Sequence, residues 1–256
     1  MVAADNDLDQ TVGRLVDEWR RQQAATLEGW DFSHTRDRLR FEPPPWRYND
    51  EARRLLKGSR RPLDLGTGGG EVLEGLAPLP EFTVASDIAP ERVKVARRRL
   101  SAHGVSPVAA NSMAPLPFKA SAFDLVLCRN SAFMARHVHH VLEPSGVFYS
   151  QQVAQNNMCE LLDELGLPSG NKDWKTPGGA VAELAEAGFH SVEMDHADTE
   201  VEFSDVGIML WFLEAILPGR IDVERDVAVL LRLHEKRQSG EPLRYRRRTY
   251  IIRGVK

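Results

Sequence analysis

Two cysteines, Cys128 and Cys159, are all that the 256 residues hold. So low a count argues against a disulfide framework, fits a reducing cytoplasm, and leaves too few thiolates for a cysteine-built zinc site. No run approaches the roughly 20 apolar residues of a membrane span. The opening segment, Met1 to Asp9, is acidic and lacks the basic-then-apolar pattern of a secretory leader. No membrane role is expected, and a cytoplasmic location is. A charge excess of one sign is missing too. The 33 Lys+Arg and 37 Asp+Glu leave a formal charge of −4, which exerts no global pull toward nucleic acid. Internal repeats and low-complexity tracts are absent. What remains is an ordinary globular composition, 42% hydrophobic and 27% charged, in a chain long enough to bury a substantial core.

The chain is organised around Pro62-Leu63-Asp64-Leu65-Gly66-Thr67-Gly68-Gly69-Gly70-Glu71-Val72-Leu73. Leu63 to Leu65 reads as a buried strand and Glu71 onward as an amphipathic helix start, with an acid in its first turn. Between them lie four glycines in five residues. Glycine permits φ > 0 and removes the Cβ that would hold a ligand away. A dinucleotide fingerprint G-x-G-x-x-G counted from Gly66 needs a glycine at position 71, where Glu71 stands. The pattern present is Asp-x-Gly-x-Gly-x-Gly, at Asp64, Gly66, Gly68 and Gly70. Alone, such a turn is equally compatible with a purely structural role or another nucleotide.

Further strands are expected at Phe82–Ser86, Val105–Ala110, Phe123–Cys128 and Val147–Val153, with helices at Leu8–Glu28, Asn49–Lys57, Pro90–Gly104 and about Ala132–Leu142. Asp87 closes the Phe82–Ser86 strand, the second when the glycine-turn strand is counted as the first, 21 residues after Gly66, where an acid can accept hydrogen bonds from two ribose hydroxyls. It can equally cap the helix that Pro90 opens. Beyond residue 153, helices are expected at Met158–Leu165, Gly179–Ala187, Asp205–Leu217 and Asp222–Lys236. Strand pieces are expected at Ser191–Met194, Glu200–Phe203 and Arg248–Arg253.

Taken in order, the glycine turn, Asp87, Leu116-Pro117-Phe118, Phe123-Asp124-Leu125-Val126 and Val141-Leu142-Glu143-Pro144-Ser145-Gly146 resemble the motifs of the class I S-adenosylmethionine-dependent methyltransferases, over about residues 62 to 150. The match is to the widespread small-molecule subgroup. Ser145 replaces a glycine of that pattern, and Asn111 stands where an acid is usual near the adenine amino group; its amide oxygen can still accept. The resemblance implies an α/β, Rossmann-like, seven-stranded and mostly parallel sheet, with helices on both faces and an antiparallel last strand. A helical N-terminal extension or lid (1–57) would precede the cofactor-binding domain (58–256), which would carry a helical insertion at about 204–237. The cofactor implied is S-adenosyl-L-methionine, held by Asp64, Gly66, Thr67, Gly68, Gly70, Asp87, Ile88, Asn111, Ser112, Met113 and Arg129.

Methyl transfer needs in-line alignment of an acceptor, and a base if the acceptor starts protonated. His34 is the candidate base, though a lone loop histidine is commonly just solvated. Arg129 and Asn130, just past the fourth strand, are substrate-facing candidates, with helix capping as the equal alternative for Asn130. Trp30, Phe32, Trp46 and Tyr48 lie on irregular chain before the first core strand. They can roof the site or merely fasten the first helix. His137, His139 and His140 do not share one helix face, and no metal is expected. A small-molecule acceptor is the leading reading. Arginine clusters (Arg36, Arg38, Arg40, Arg47, Arg53, Arg54, Arg60, Arg61; Arg244, Arg246, Arg247, Arg248) keep an RNA or protein acceptor as the alternative, and a non-catalytic cofactor-binding protein is the third.

Overall fold

A computed structural model describes residues 2–25, 32, 35, 37–168 and 175–256, with side chains from residue 10 onward. Strands β1 (Leu39–Phe41), β2 (Pro62–Leu65), β3 (Val84–Asp87), β4 (Val108–Ala109), β5 (Phe123–Arg129), β6 (Leu142–Val153), β7 (His190–Phe203) and β8 (Leu243–Val255) form one sheet in the order β1-β7-β8-β6-β5-β2-β3-β4. β2 to β7 point the same way. β8 runs against both of its neighbours, and β1 runs against β7. The expected seven strands with an antiparallel last strand are therefore present, in a doubly wound arrangement.

β1 is the eighth, and it makes the N-terminal extension only partly helical. Three residues are too short to show a period. The strand forms because its backbone completes the edge of β7, pairing Leu39 with Phe203 and Phe41 with Val201. β7 and β8 are also longer than the expected pieces, and after a register shift between His190 and Glu193 they pair without a break from Glu193 to Phe203.

Helices α1 (Val2–Gln23), α2 (Tyr48–Gly58), α3 (Glu71–Gly75), α4 (Pro90–Leu100), α5 (Ala135–Val141), α6 (Cys159–Glu164), α7 (Pro177–Glu186), α8 (Val206–Ile216) and α9 (Val227–Gln238) cover the sheet. Because strand side chains alternate, Leu63, Leu65, Val126, Cys128 and Phe148 face α5 and α7, while Leu125, Leu127 and Tyr149 face α2. α8 is buried from Val206 through Leu213, that is, on all sides. A helix apolar all round needs partners all round. It finds them in α1, α9 and the β7/β8 residues Val201, Phe203, Leu243 and Tyr245. Trp19 of α1 is 3% exposed and meets His234 of α9 edge-on at 5.9 Å. Arg38 closes the joint with two bonds to Asp205, at 2.7 and 3.1 Å, and one to Gln22 at 2.8 Å.

This cap sits where β7 and β8 overrun the sheet. β6 ends at Val153, opposite Thr249, and β7 continues six residues past Ala197, which also pairs with Thr249. The helical layer thus stands beyond the carboxyl ends of the parallel strands. No helix among the described residues is long and apolar enough to cross a membrane.

Candidate active site

β2 carries buried Asp64 as its penultimate residue and runs past Leu65 into the glycine turn. Gly66, Gly68 and Gly70 take φ of +78°, +61° and +86°, values that L side chains rarely adopt. A Cβ on Gly66 would also stand 2.2 Å from the Ser131 hydroxyl oxygen. The turn is fixed by its backbone: the Gly66 and Thr67 N–H groups both donate to the Ser86 carbonyl at 2.8 Å. From outside, the Arg99 guanidinium donates to the Gly69 carbonyl at 3.1 Å and pairs with Glu74 at 3.0 Å.

Asp87 joins the turn to α4. One carboxylate oxygen accepts from the Gly68 N–H at 3.0 Å and the other from the Ala89 N–H at 2.9 Å. An ionised carboxylate offers about four acceptor positions, so both oxygens keep capacity for a ligand. Beside it Ile88 is 58% exposed and Met113 is 39% exposed. Asn111 spends one lone pair on the Met113 N–H at 2.9 Å, in a local turn. The Ser112 carbonyl accepts from Met134.

Pairing register carries the site across the sheet. Asp64 stands opposite Leu127, Leu127 opposite Tyr149, and Arg129 opposite Gln151. Alternation therefore sets Asp64, Arg129 and Gln151 on one face. Tyr48, at the start of α2, stacks on Tyr149 with ring centres 5.1 Å apart and planes 7° from parallel. The Arg129 guanidinium carbon lies 5.9 Å from the Tyr48 ring centre. Trp46 donates its indole N–H to the Gln151 side-chain oxygen at 2.8 Å.

The electrostatics are unbalanced. Burial, reinforced by the Asp87 charge, pushes the Asp64 carboxyl up to about 6, with Arg129 pulling the other way. Burial also lowers the Arg129 pKa, and Arg129 Nε is buried with no hydrogen-bond partner among the described residues. Tyr48 is pushed well above the usual phenol value, first by burial and then by Asp64. Such a set, buried carboxylate and buried guanidinium on one face beside an acceptor-rich Asp87, suits a ligand that carries a cation, an anion and a diol.

Not every expected residue gathers here. Phe32 packs into the cap instead, with its ring centre 5.4 Å from Trp211 and 6.0 Å from Phe212. Trp30 and His34 lie outside the described residues. Asn130 is not the cap of the following helix: α5 starts at Ala135, with Met134 at the capping position. Asn130 takes φ of +51° and donates its N–H to the Gln151 carbonyl at 2.8 Å. It is the residue that turns the chain out of β5, a left-handed position that asparagine tolerates. Ser131 and Gln151 are absent from the sequence-level candidates. A signal for Gln151 exists in the polar run Ser150-Gln151-Gln152, which closes an otherwise apolar parallel strand at its carboxyl end.

The profile of a family described as a methyltransferase domain matches residues 63–150. A ubiquinone biosynthesis O-methyltransferase of Xanthomonas axonopodis pv. citri is 30% identical over 201 residues, covering 70% of this chain and 79% of that protein. The enzyme of the same description in Xylella fastidiosa is 28% identical over 192 residues, 65% of this chain and 76% of the other. Among solved structures, YcgJ of Bacillus subtilis superimposes with a TM-score of 0.61 at 18% identity, over 82% of this chain and 97% of that one. At that identity the likeness is one of fold.

Proposed function

The chain belongs to the class I S-adenosylmethionine-dependent methyltransferases, and from that premise we propose that its methyl acceptor is a small molecule, received between the glycine turn and the cap of α1, α8 and α9. S-adenosylmethionine is the cofactor; when bound it supplies an electrophilic methyl group on a sulfonium. The residues fit it. Gly66, Gly68 and Gly70 give close backbone approach, and the spare lone pairs of Asp87 accept the ribose hydroxyls. Ile88 and Met113, apolar yet left exposed, flank the adenine, and Asn111 accepts from its amino group. Asp64 receives the methionine ammonium and Arg129 the carboxylate, so that each buried charge acquires its opposite. Trp46 and Tyr48 wall the sulfonium side, where aromatic faces attract a cation. The protein's part in the transfer is to align the acceptor and keep water out.

One observation carries the choice of acceptor: among the described residues, most of the arginines in the clusters that suggest a polyanion are spent on neighbouring carboxylates. Arg38 pairs with Asp205, Arg53 with Asp50, Arg54 with Glu51, and Arg60 and Arg61 with Glu143. Arg244 pairs with Glu200 and Glu202, Arg246 with Asp198, and Arg248 with Glu160. Exposed pairs of this kind add little stability, but they cancel the field that RNA binding requires. The acceptors of the two named relatives, O-methylated in ubiquinone biosynthesis, fall in the same small-molecule class. The test is incubation of the protein with methyl-labelled S-adenosylmethionine and cell extract, with and without nuclease or protease, followed by ultrafiltration. Label passing into the filtrate in all cases is the expected result. Label retained, and released only by nuclease or protease, overturns the reading.

A further inference from the structure

Four arginines crowd the start of β8, and alternation divides them. Arg244, Arg246 and Arg248 share the face on which Glu202, Asp198 and Glu160 answer them at 3.0, 3.7 and 2.6 Å. Arg247 points to the opposite face, the one that carries Asp64, Arg129 and Gln151. No carboxylate pairs with Arg247 among the described residues. Its guanidinium carbon lies 5.2 Å from the ring centre of Phe41, an aromatic side chain left 40% exposed. Burial and the neighbouring Arg129 charge push its pKa down to about 10, so it is still a cation at neutral pH. Thr249, two residues on and on the same face, is 1% exposed, and its hydroxyl oxygen is buried with no partner among the described residues. Thr249 stands opposite Val153, the residue two beyond Gln151. Arg129, Gln151, Thr249 and Arg247 therefore form a polar row leading from the cofactor end of β5 toward the cap.

A half-buried guanidinium that feels a like charge nearby and has no carboxylate partner is expensive. A fully buried hydroxyl without a partner adds to the deficit. Both are relieved by one group, a carboxylate or phosphate oxyanion lying between them, for which the arginine fork is the geometric match. Arg129 faces Asp64 and Tyr48 and belongs to the cofactor end. Arg247 lies on β8, a strand that contributes nothing to the glycine turn. We propose that Arg247, with the Thr249 hydroxyl, seats an anionic group of the methyl acceptor, so that the acceptor is a small carboxylate or phosphate. Phe41 gives this seat a flat apolar wall, which suits a planar acid. This assignment rests on the small-molecule reading above and narrows it.

The test is calorimetry on the full chain saturated with S-adenosylhomocysteine, with benzoate, phenyl phosphate and neutral benzamide as probes. At least one of the two anions is expected to bind, and benzamide is not. Preference for benzoate assigns a carboxylate, and preference for phenyl phosphate a phosphate. Arg247→Gln should weaken the bound anion by at least about tenfold and leave S-adenosylmethionine affinity unchanged, which also reports an intact fold. Arg247→Lys should retain part of the anion affinity, and Thr249→Val should lose a smaller share than Arg247→Gln. Benzamide binding as tightly as the anions, failure of both anions on the wild-type protein, or an unchanged anion affinity in Arg247→Gln overturns the seat. Those failures leave the small-molecule reading standing, whereas label that follows RNA or protein in the extract experiment removes that reading whatever the titrations give.

Discussion

Asp64, one residue short of the end of β2, and Asp87, the last residue of β3, lie on one face of adjoining parallel strands. Asp87 accepts two backbone N–H groups, so removing it both strips the ribose acceptor and orphans the donors of Gly68 and Ala89. Asp87→Ala is expected to weaken S-adenosylmethionine binding by tenfold or more, at about 1.5–3 kcal/mol for each hydrogen bond to a charged acceptor. It should also lower the melting temperature; calorimetry and thermal denaturation check the two effects separately. Asp64 is different: its carboxyl is held at about 6 against an ordinary 3.8. Below about pH 4 it is protonated folded and unfolded alike. As pH rises to 6 the unfolded chain sheds this proton first, so the fold loses stability across that window, about 3 kcal/mol in all. Asp64→Asn should therefore stabilise the protein above pH 6 while weakening cofactor binding. For the wild type, cofactor affinity should fall about tenfold per pH unit below 6, as the carboxylate that answers the ammonium is lost. Titrations at pH 5 and 7 on both proteins check this, and a pH step that survives in Asp64→Asn removes the assignment.

The elements that the sequence makes legible are those whose signal is local. Leu63 to Leu65, the glycines after it and Leu125 to Cys128 show as strand, turn and strand because buried parallel strands are apolar throughout. β7 and β8 are obscured for a physical reason. His190 to Phe203 and Leu243 to Arg248 are rich in charge, and Glu200, Glu202, Asp198, Arg244, Arg246 and Arg248 make sense as strand residues only against one another. A cross-strand ion-pair ladder has no signature in either strand alone. The same holds for the site. Asp64, Gly66, Gly68 and Asp87 follow from spacing, but Gln151 and Thr249 come to the face of the proposed site through register across β6 and β8, which spacing does not encode. The place of α1 is likewise tertiary, set by the all-round apolar surface of α8. Trp19→Ala should cost about 3–5 kcal/mol and release the first helix. Limited proteolysis should then cut between α1 and β1 well before wild type, with cofactor affinity little changed. An unaltered cleavage pattern would mean that the cap is held by something other than Trp19.

At the scale of the molecule, the sheet supplies a floor, the glycine turn and Asp87 supply one end, and the overrun of β7 and β8 carries a helical cap to the other. We propose that S-adenosylmethionine lies across the carboxyl ends of β2, β3, β4 and β5. Hydrogen exchange with and without S-adenosylhomocysteine tests it most directly. New protection is expected on binding in four separate segments at once: residues 64–70, 87–89, 111–113 and 129–131. Protection confined to other parts of the chain, or binding that leaves the glycine turn and the segment around Asp87 exchanging as before, would contradict it.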